Sequence, residues 1–215
     1  MNKIIINGTE ISYLAKDEAY TCQDVDDRRL LKDSFLIVEP ICKQLEIPCP
    51  DIGISSNLLI LDGKGNISEQ YARMYTPADS PALKSNVVIV SRKISKYAEL
   101  IGVLAHEMRH VWQFAYHPEI NKIPANGFIE SLVHPAEIDA DGYAIWYTSE
   151  FCGIDIEEAA SIICPEEKEF YYKNYFQRIS KANEIKTYFS KNYNCQDKTS
   201  SSFMSKIKQI LRQCK

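Results

Sequence analysis

Apolar and polar positions alternate briefly at the start of the chain. Residues 3–14 (KIIINGTEISYL) predict a hairpin turning at Asn7-Gly8, a pair that accepts the positive φ of a tight turn. A helical period follows over 24–47, carried by Val25, Leu30, Leu31, Phe35, Val38, Ile41, Leu45 and Ile47. Asp24 and Asp26 suit its first turn, Pro48 and Pro50 stand past its end, and Pro40 predicts a kink or a break into two helices. Extended segments come next at 54–62, before the turn Asp62-Gly63-Lys64-Gly65-Asn66, then at 67–75 and at 86–91. An amphipathic helix is expected over 95–115, its stripe formed by Tyr97, Ala98, Ile101, Leu104, Ala105, Met108, Val111 and Ala115. Pro118, Pro124 and Asn126-Gly127 mark a loop. Pro135, at a favoured first-turn position, opens a helix to about 151. The remainder reads helical, over 156–191 with an interruption at Pro165 and over 199–214. Helix, strands and then helices give an α+β class. With no repeat or linker in view, residues 1–215 read as a single domain.

Composition narrows the partners. Of 215 residues, 45% are hydrophobic and 25% charged, which excludes a disordered or collagen-like chain. Lys and Arg number 25 against 29 Asp and Glu, a net charge of −4 without the basic excess of a generic nucleic-acid binder, so no nucleic acid is expected. The apolar run Ile4-Ile5-Ile6 is far shorter than a secretory signal, and no run approaches the ~18 apolar residues of a membrane span. Seven cysteines are scattered without a C-x-x-C pair, so cysteine zinc sites are not expected. Reduced cysteines in a cytoplasmic protein are the expectation.

The chemistry is concentrated in His106-Glu107-Met108-Arg109-His110, an H-E-x-x-H inside the predicted long helix. Residues four apart lie one above the other on a helix, their roots about 5–6 Å apart, so both imidazoles can meet one ion. Zinc bonds imidazole nitrogen at about 2.0–2.1 Å. Glu107 stands about 100° round the helix from His106 and can reach a metal-bound water as its base. On average residue usage this pattern arises by chance in under about one chain in a hundred of this length. The bland alternative is a pair of histidines on a solvated face. Gly102 and Gln113 share the histidine stripe, and Gly102 leaves room there for another segment to approach.

A zinc site needs a further ligand. Glu137 and Asp141, in Glu137-Ile138-Asp139-Ala140-Asp141, stand four apart on one face of the second helix, with Asp139 on the opposite side. Glu137 is the expected third ligand, and Asp141 is placed to accept the outer N–H of a ligand histidine. Glu137 as a simple helix cap, and His134 or Asp141 as third ligand, are the competing assignments. Zinc is read from ligand type, which iron, cobalt and manganese also tolerate.

His106-Glu107-x-x-His110 followed by Glu137-x-x-x-Asp141 resembles the gluzincin pattern of zinc metallopeptidases. Over roughly 85–150 the wording is similar to compact bacterial and phage zincins, including ImmA/IrrE-type and membrane-bound M48-type peptidases. The absence of a membrane span disfavours the latter. The metzincin third histidine is absent, since Val111-Trp112-Gln113 follows the motif. The resemblance implies a zincin core: a small mixed sheet whose edge strand lies above the cleft, an active-site helix, a third-ligand helix and, here, a helical C-terminal part. Residues 86–91 are expected to be that edge strand, to which a substrate peptide adds. It also implies zinc-dependent peptide hydrolysis by a metal-activated water, with Glu107 as general base and a protein or peptide as substrate. Tyr71, Tyr75, His134 and Tyr143 are candidate oxyanion donors. An inactive regulatory relative and an effector peptidase exported without a leader are the alternatives.

The other features read as structural. Trp112, Phe114 and Tyr116 are expected to serve packing and not a substrate pocket; the cluster Phe170, Tyr171, Tyr172, Tyr175 and Phe176 is expected in the core or between paired helices, with a substrate-side wall as the alternative. His117 is expected in a loop, and the lysines from Lys181 onward on a solvated face.

Overall fold

The chain is described by a computed structural model that covers residues 2–6, 9–14, 25–56, 58–61, 67–77, 83, 85–120 and 133–193. Its elements are β1 (Asn2–Ile6), β2 (Thr9–Leu14), α1 (Val25–Leu45), β3 (Asp51–Ser55), β4 (Leu59–Leu61), β5 (Ile67–Glu69), β6 (Ala72–Tyr75) and β7 (Val87–Ser91). Then come α2 (Tyr97–Tyr116), α3 (Pro135–Cys152), α4 (Ile156–Ile163), α5 (Pro165–Phe170) and α6 (Tyr172–Tyr193). The class is α+β. The turn at 62–66, Asp24, the loop from 121 to 132, the segment 199–214, and Cys22, Cys195 and Cys214 lie outside the described residues. No described helix is long and apolar enough to cross a membrane.

β1 and β2 pair antiparallel with Ile6 opposite Thr9, the register that a two-residue connection imposes. The sheet runs β1-β2-β3-β7-β6, with β3 and β7 parallel and its other pairs antiparallel, so it is mixed. The segment 67–75 divides: β5 pairs with β4 in a separate two-stranded sheet, whereas β6 pairs with β7. This order corrects the edge-strand expectation. β7 lies between β3 and β6, and β6 stands at the end of the sheet. Every residue of β7 is buried: Val88 and Val90 face the helices, while Val87 and Ile89 join Leu58, Tyr75 and Leu83 on the other side. An uninterrupted β-branched run marks a strand covered on both faces, which is a central strand. β6 reads Ala-Arg-Met-Tyr, with its middle residues only half-buried.

Pro40 does not break α1, which is continuous from Val25 to Leu45. Ile37, Val38, Ile41, Cys42 and Leu45 bury its inner face on both sides of the proline, and this packing offsets the one lost backbone bond. Pro165 does interrupt the helical tail, opening α5 after Cys164. α3 begins at Pro135 and ends at Gly153, whose left-handed backbone (φ 69°) suits a residue without Cβ.

α3 lies between α2 and α6 and is buried nearly all round, with Ala140, Tyr143, Ala144 and Ile145 wholly covered. Two glycines permit the close approaches. A Cβ on Gly102 would meet Ile163 Cδ1 of α4 at 1.8 Å, so α4 is the segment that approaches there. A Cβ on Gly142 would lie 2.6 Å from Lys181 Cγ and 3.3 Å from the backbone nitrogen of Ala182 on α6. Gly142→Val is therefore expected to part α3 from α6 and lower stability by ~1–3 kcal/mol. Urea unfolding measures this, and an unchanged midpoint would contradict so tight a contact.

The aromatic expectations need correction. Tyr175 is buried, but Phe170, Tyr172 and Phe176 are exposed, as are Phe114 and Tyr116 beyond the motif. Tyr172 and Phe176 pack edge-to-face on each other at the surface instead of entering the core. His117 caps the end of α2 and bonds Glu119. Lys181 and Lys186 reach the acidic groups Glu184 and Glu150.

Candidate metal centre

The helical spacing of the motif acts as geometry requires. On α2 the His106 and His110 rings meet with their Nε2 atoms 2.9 Å apart. α3 brings Glu137 Oε2 to 3.3 Å from His106 Nε2 and 3.6 Å from His110 Nε2. A triangle with these edges has a circumradius of about 1.9 Å, just inside the 2.0–2.1 Å zinc bonds, so one ion can reach all three atoms.

The outer nitrogens decide the character of these atoms. His106 Nδ1–H donates to Asp141 Oδ1 at 2.8 Å, leaving Nε2 with its lone pair. His110 Nδ1–H donates to Gln113 Oε1 at 2.9 Å. The orientation of the Gln113 amide is set by its other end, where Nε2 donates to Ala136 O and to Asp139 Oδ2, both at 2.9 Å. The two inner imidazole nitrogens and a carboxylate oxygen thus converge. Three such atoms so close together are satisfied by protons on the imidazoles or by a cation, and the ligand types fit zinc.

Electrostatics state the same demand. Burial favours a neutral His106, but the Asp141 and Glu137 carboxylates outweigh it and hold the imidazole well above its ordinary range. His110 is raised as well: burial lowers it, and its bond to Glu137 more than compensates. Burial pushes Glu137 up, while the bonds from both histidines pull it far below the usual carboxylate range. The Glu137 side chain is 35% exposed, so the cluster opens to solvent on that side.

Glu107 is not among the three. Its Oε2 accepts the backbone N–H of Met74 on β6 at 2.7 Å. Ser91 N–H donates to Tyr71 O, so on this ladder the Met74 N–H points away from β7, and the Glu107 carboxylate joins α2 to the outer side of β6. Glu137 does not cap its own helix: His134 does, with Nδ1 accepting from Ala136 N–H. The candidate oxyanion donors sort themselves by burial. Tyr143 is wholly buried with its hydroxyl donating to Gln44, and Tyr75 belongs to the cluster on the far face of the sheet. Both are removed, leaving Tyr71 and His134.

Three supporting residues have no role that the sequence pattern assigns. Gln113 fixes His110. Asp139, opposite Glu137 on the helical wheel, still reaches α2: it takes Arg109 Nε at 2.7 Å and Nη2 at 3.2 Å, and the guanidinium lies 3.6 Å over the Trp112 ring. Arg178 bonds Asp141. A polar residue one turn beyond the second histidine was the only available signal for Gln113, and nothing local marks the other two. A cavity of about 590 Å³ lies elsewhere, between the ends of α1 and α2 and the side of α6, lined by Gln44, Trp112, Tyr116 and Phe189 among others. None of the three converging ligands borders it.

No family model, curated protein or solved structure matches this chain.

Proposed function

We propose that this chain is a zinc-dependent peptide hydrolase of the gluzincin kind. Support comes from one observation above all. His106 Nε2, His110 Nε2 and Glu137 Oε2 stand 2.9–3.6 Å apart, with the outer Nδ1 of each histidine engaged by Asp141 or Gln113. Bound zinc supplies there a water acidic enough to ionise near neutrality and a Lewis acid for the scissile carbonyl. With that water in place, Glu107 would accept its proton on the carboxylate and return it to the leaving amine. Its bond to Met74 N–H holds the carboxylate against the outer side of β6. Asp141 and Gln113 keep each histidine's proton on Nδ1 throughout.

Metal analysis with anomalous scattering at the zinc edge tests the assignment. One equivalent of zinc is expected between the three ligands, lost in His110→Ala and in Glu137→Ala. Zinc bound at other residues, or none bound at all, would overturn it. Zinc at 100 times its dissociation constant is expected to add ~2.7 kcal/mol of stability, removed by a chelator and read as a fall in Tm.

A further inference from the structure

Arg178 is the bulkiest fully buried side chain among the described residues, at 1% exposure. A guanidinium is almost never buried so completely unless it is paired. Its partners come from three helices. Nε donates to Asp141 Oδ2 of α3 at 2.5 Å, Nη2 lies 3.7 Å from Glu167 Oε1 of α5, and Nη1 reaches Asn174 O within α6 at 3.4 Å. Asp141, Cys164 and Glu167 by themselves form a grouping with the spacing of a cation site, their ligand atoms all within 4.8 Å of one another. The guanidinium, bonded to Asp141 and beside Glu167, supplies the positive charge there.

The Asp141 carboxylate therefore has both oxygens committed, Oδ1 to the ligand His106 and Oδ2 to Arg178. A carboxylate held at one oxygen alone can swing about its χ angles. Held at both, it presents a fixed acceptor to His106 Nδ1–H, and so fixes the ring plane and the direction of the Nε2 lone pair.

We infer that Arg178 is a positioning residue of the metal centre, through which α6 sets the orientation of His106 and hence the affinity for zinc. The inference rests on the metal reading proposed above. The bland alternative is that Arg178 only holds helices together.

The two are separated by measuring zinc affinity on the full chain, by competition with a chromophoric chelator, alongside the visible absorption of the cobalt(II)-loaded protein. Arg178→Met is expected to weaken zinc binding about 10–100-fold, the scale of lost outer-shell support, and to shift the cobalt bands. Arg178→Lys, which keeps the charge, is expected to recover part of the loss. A folded Arg178→Met protein with wild-type zinc affinity and cobalt spectrum, merely lower in Tm, would overturn the inference and leave the metal reading intact. If Arg178→Met does not fold, Arg178→Lys decides: several-fold weaker binding with shifted bands supports the role, and wild-type values refute it. A wild-type chain that binds no zinc overturns both readings.

Discussion

Glu107→Gln is expected to lower peptide hydrolysis by about 10²–10⁴-fold while zinc stays at one equivalent, the range that a positioned general base contributes. The substitution is nearly isosteric. A glutamine carbonyl oxygen can still accept the Met74 N–H that Glu107 accepts now at 2.7 Å, so the join between α2 and β6 persists. What disappears is the capacity to take a proton from water. The proposed zinc ligands are three other residues, so metal content is the control. Cleavage of a peptide library by the zinc-loaded variant is the measurement. Wild-type turnover would remove Glu107 from the mechanism, whereas loss of both zinc and turnover would mean that the site itself had collapsed.

Asp139→Ala is expected to cost ~3 kcal/mol, because it strips the carboxylate partner from a guanidinium whose side chain is only 11% exposed. Asp139 holds Arg109 at two nitrogens, accepts from Gln113 Nε2, and lies 3.8 Å from Lys181 Nζ. The Arg109 guanidinium lies over Trp112 with Tyr143 nearby, and its remaining face borders the cavity beside α6. The effect carries a pH signature. Burial pushes the Asp139 carboxyl up, but its bond to Arg109, the Arg109 charge, the Gln113 bond and the Lys181 charge outweigh it and hold it below its ordinary value. The folded chain thus binds this proton less readily than the unfolded chain does. The contribution is fully present above the unfolded value near ~3.9 and is lost as pH falls through the folded one. Urea midpoints from pH 7 down to pH 2 should fall more steeply for the wild type than for Asp139→Asn. Parallel curves would show that this carboxylate does not drive acid unfolding. Since Asp139 also orients Gln113, weaker zinc binding should accompany the loss.

The elements that sequence located correctly share a property: their signal is local. The hairpin over 3–14, the helix carrying the motif and the helix opened at Pro135 each rest on neighbours within one or two turns. So does the pairing of His106 with His110, because a 3.6-residue period places them on one face whatever surrounds the helix. The four-residue spacing of Glu137 and Asp141, which puts both on one face of α3, is a signal of the same local kind.

The misplaced elements depended on distant partners. The run Val87–Val90 identifies a strand, but only β3 on one side and β6 on the other make it central. The cluster from Phe170 to Phe176 has helical spacing and large apolar area, yet α5 and α6 turn most of it to solvent and admit Tyr175 alone. Pro40 looked like a breaker, and the burial around it kept α1 whole.

What the residues determined alone was the chemistry on offer: two imidazoles and a carboxylate at helical intervals, and a glutamate offset from them. Tertiary packing decided the rest. It set α3 against α2 so that three acceptors converge, aimed Gln113 and Asp141 at the outer histidine nitrogens, and sent Arg178 in from a helix 37 residues beyond Asp141. The physical reason is the range of each force. Backbone periodicity acts over a few residues, whereas hydrogen bonds between helices exist only after apolar faces have chosen their neighbours.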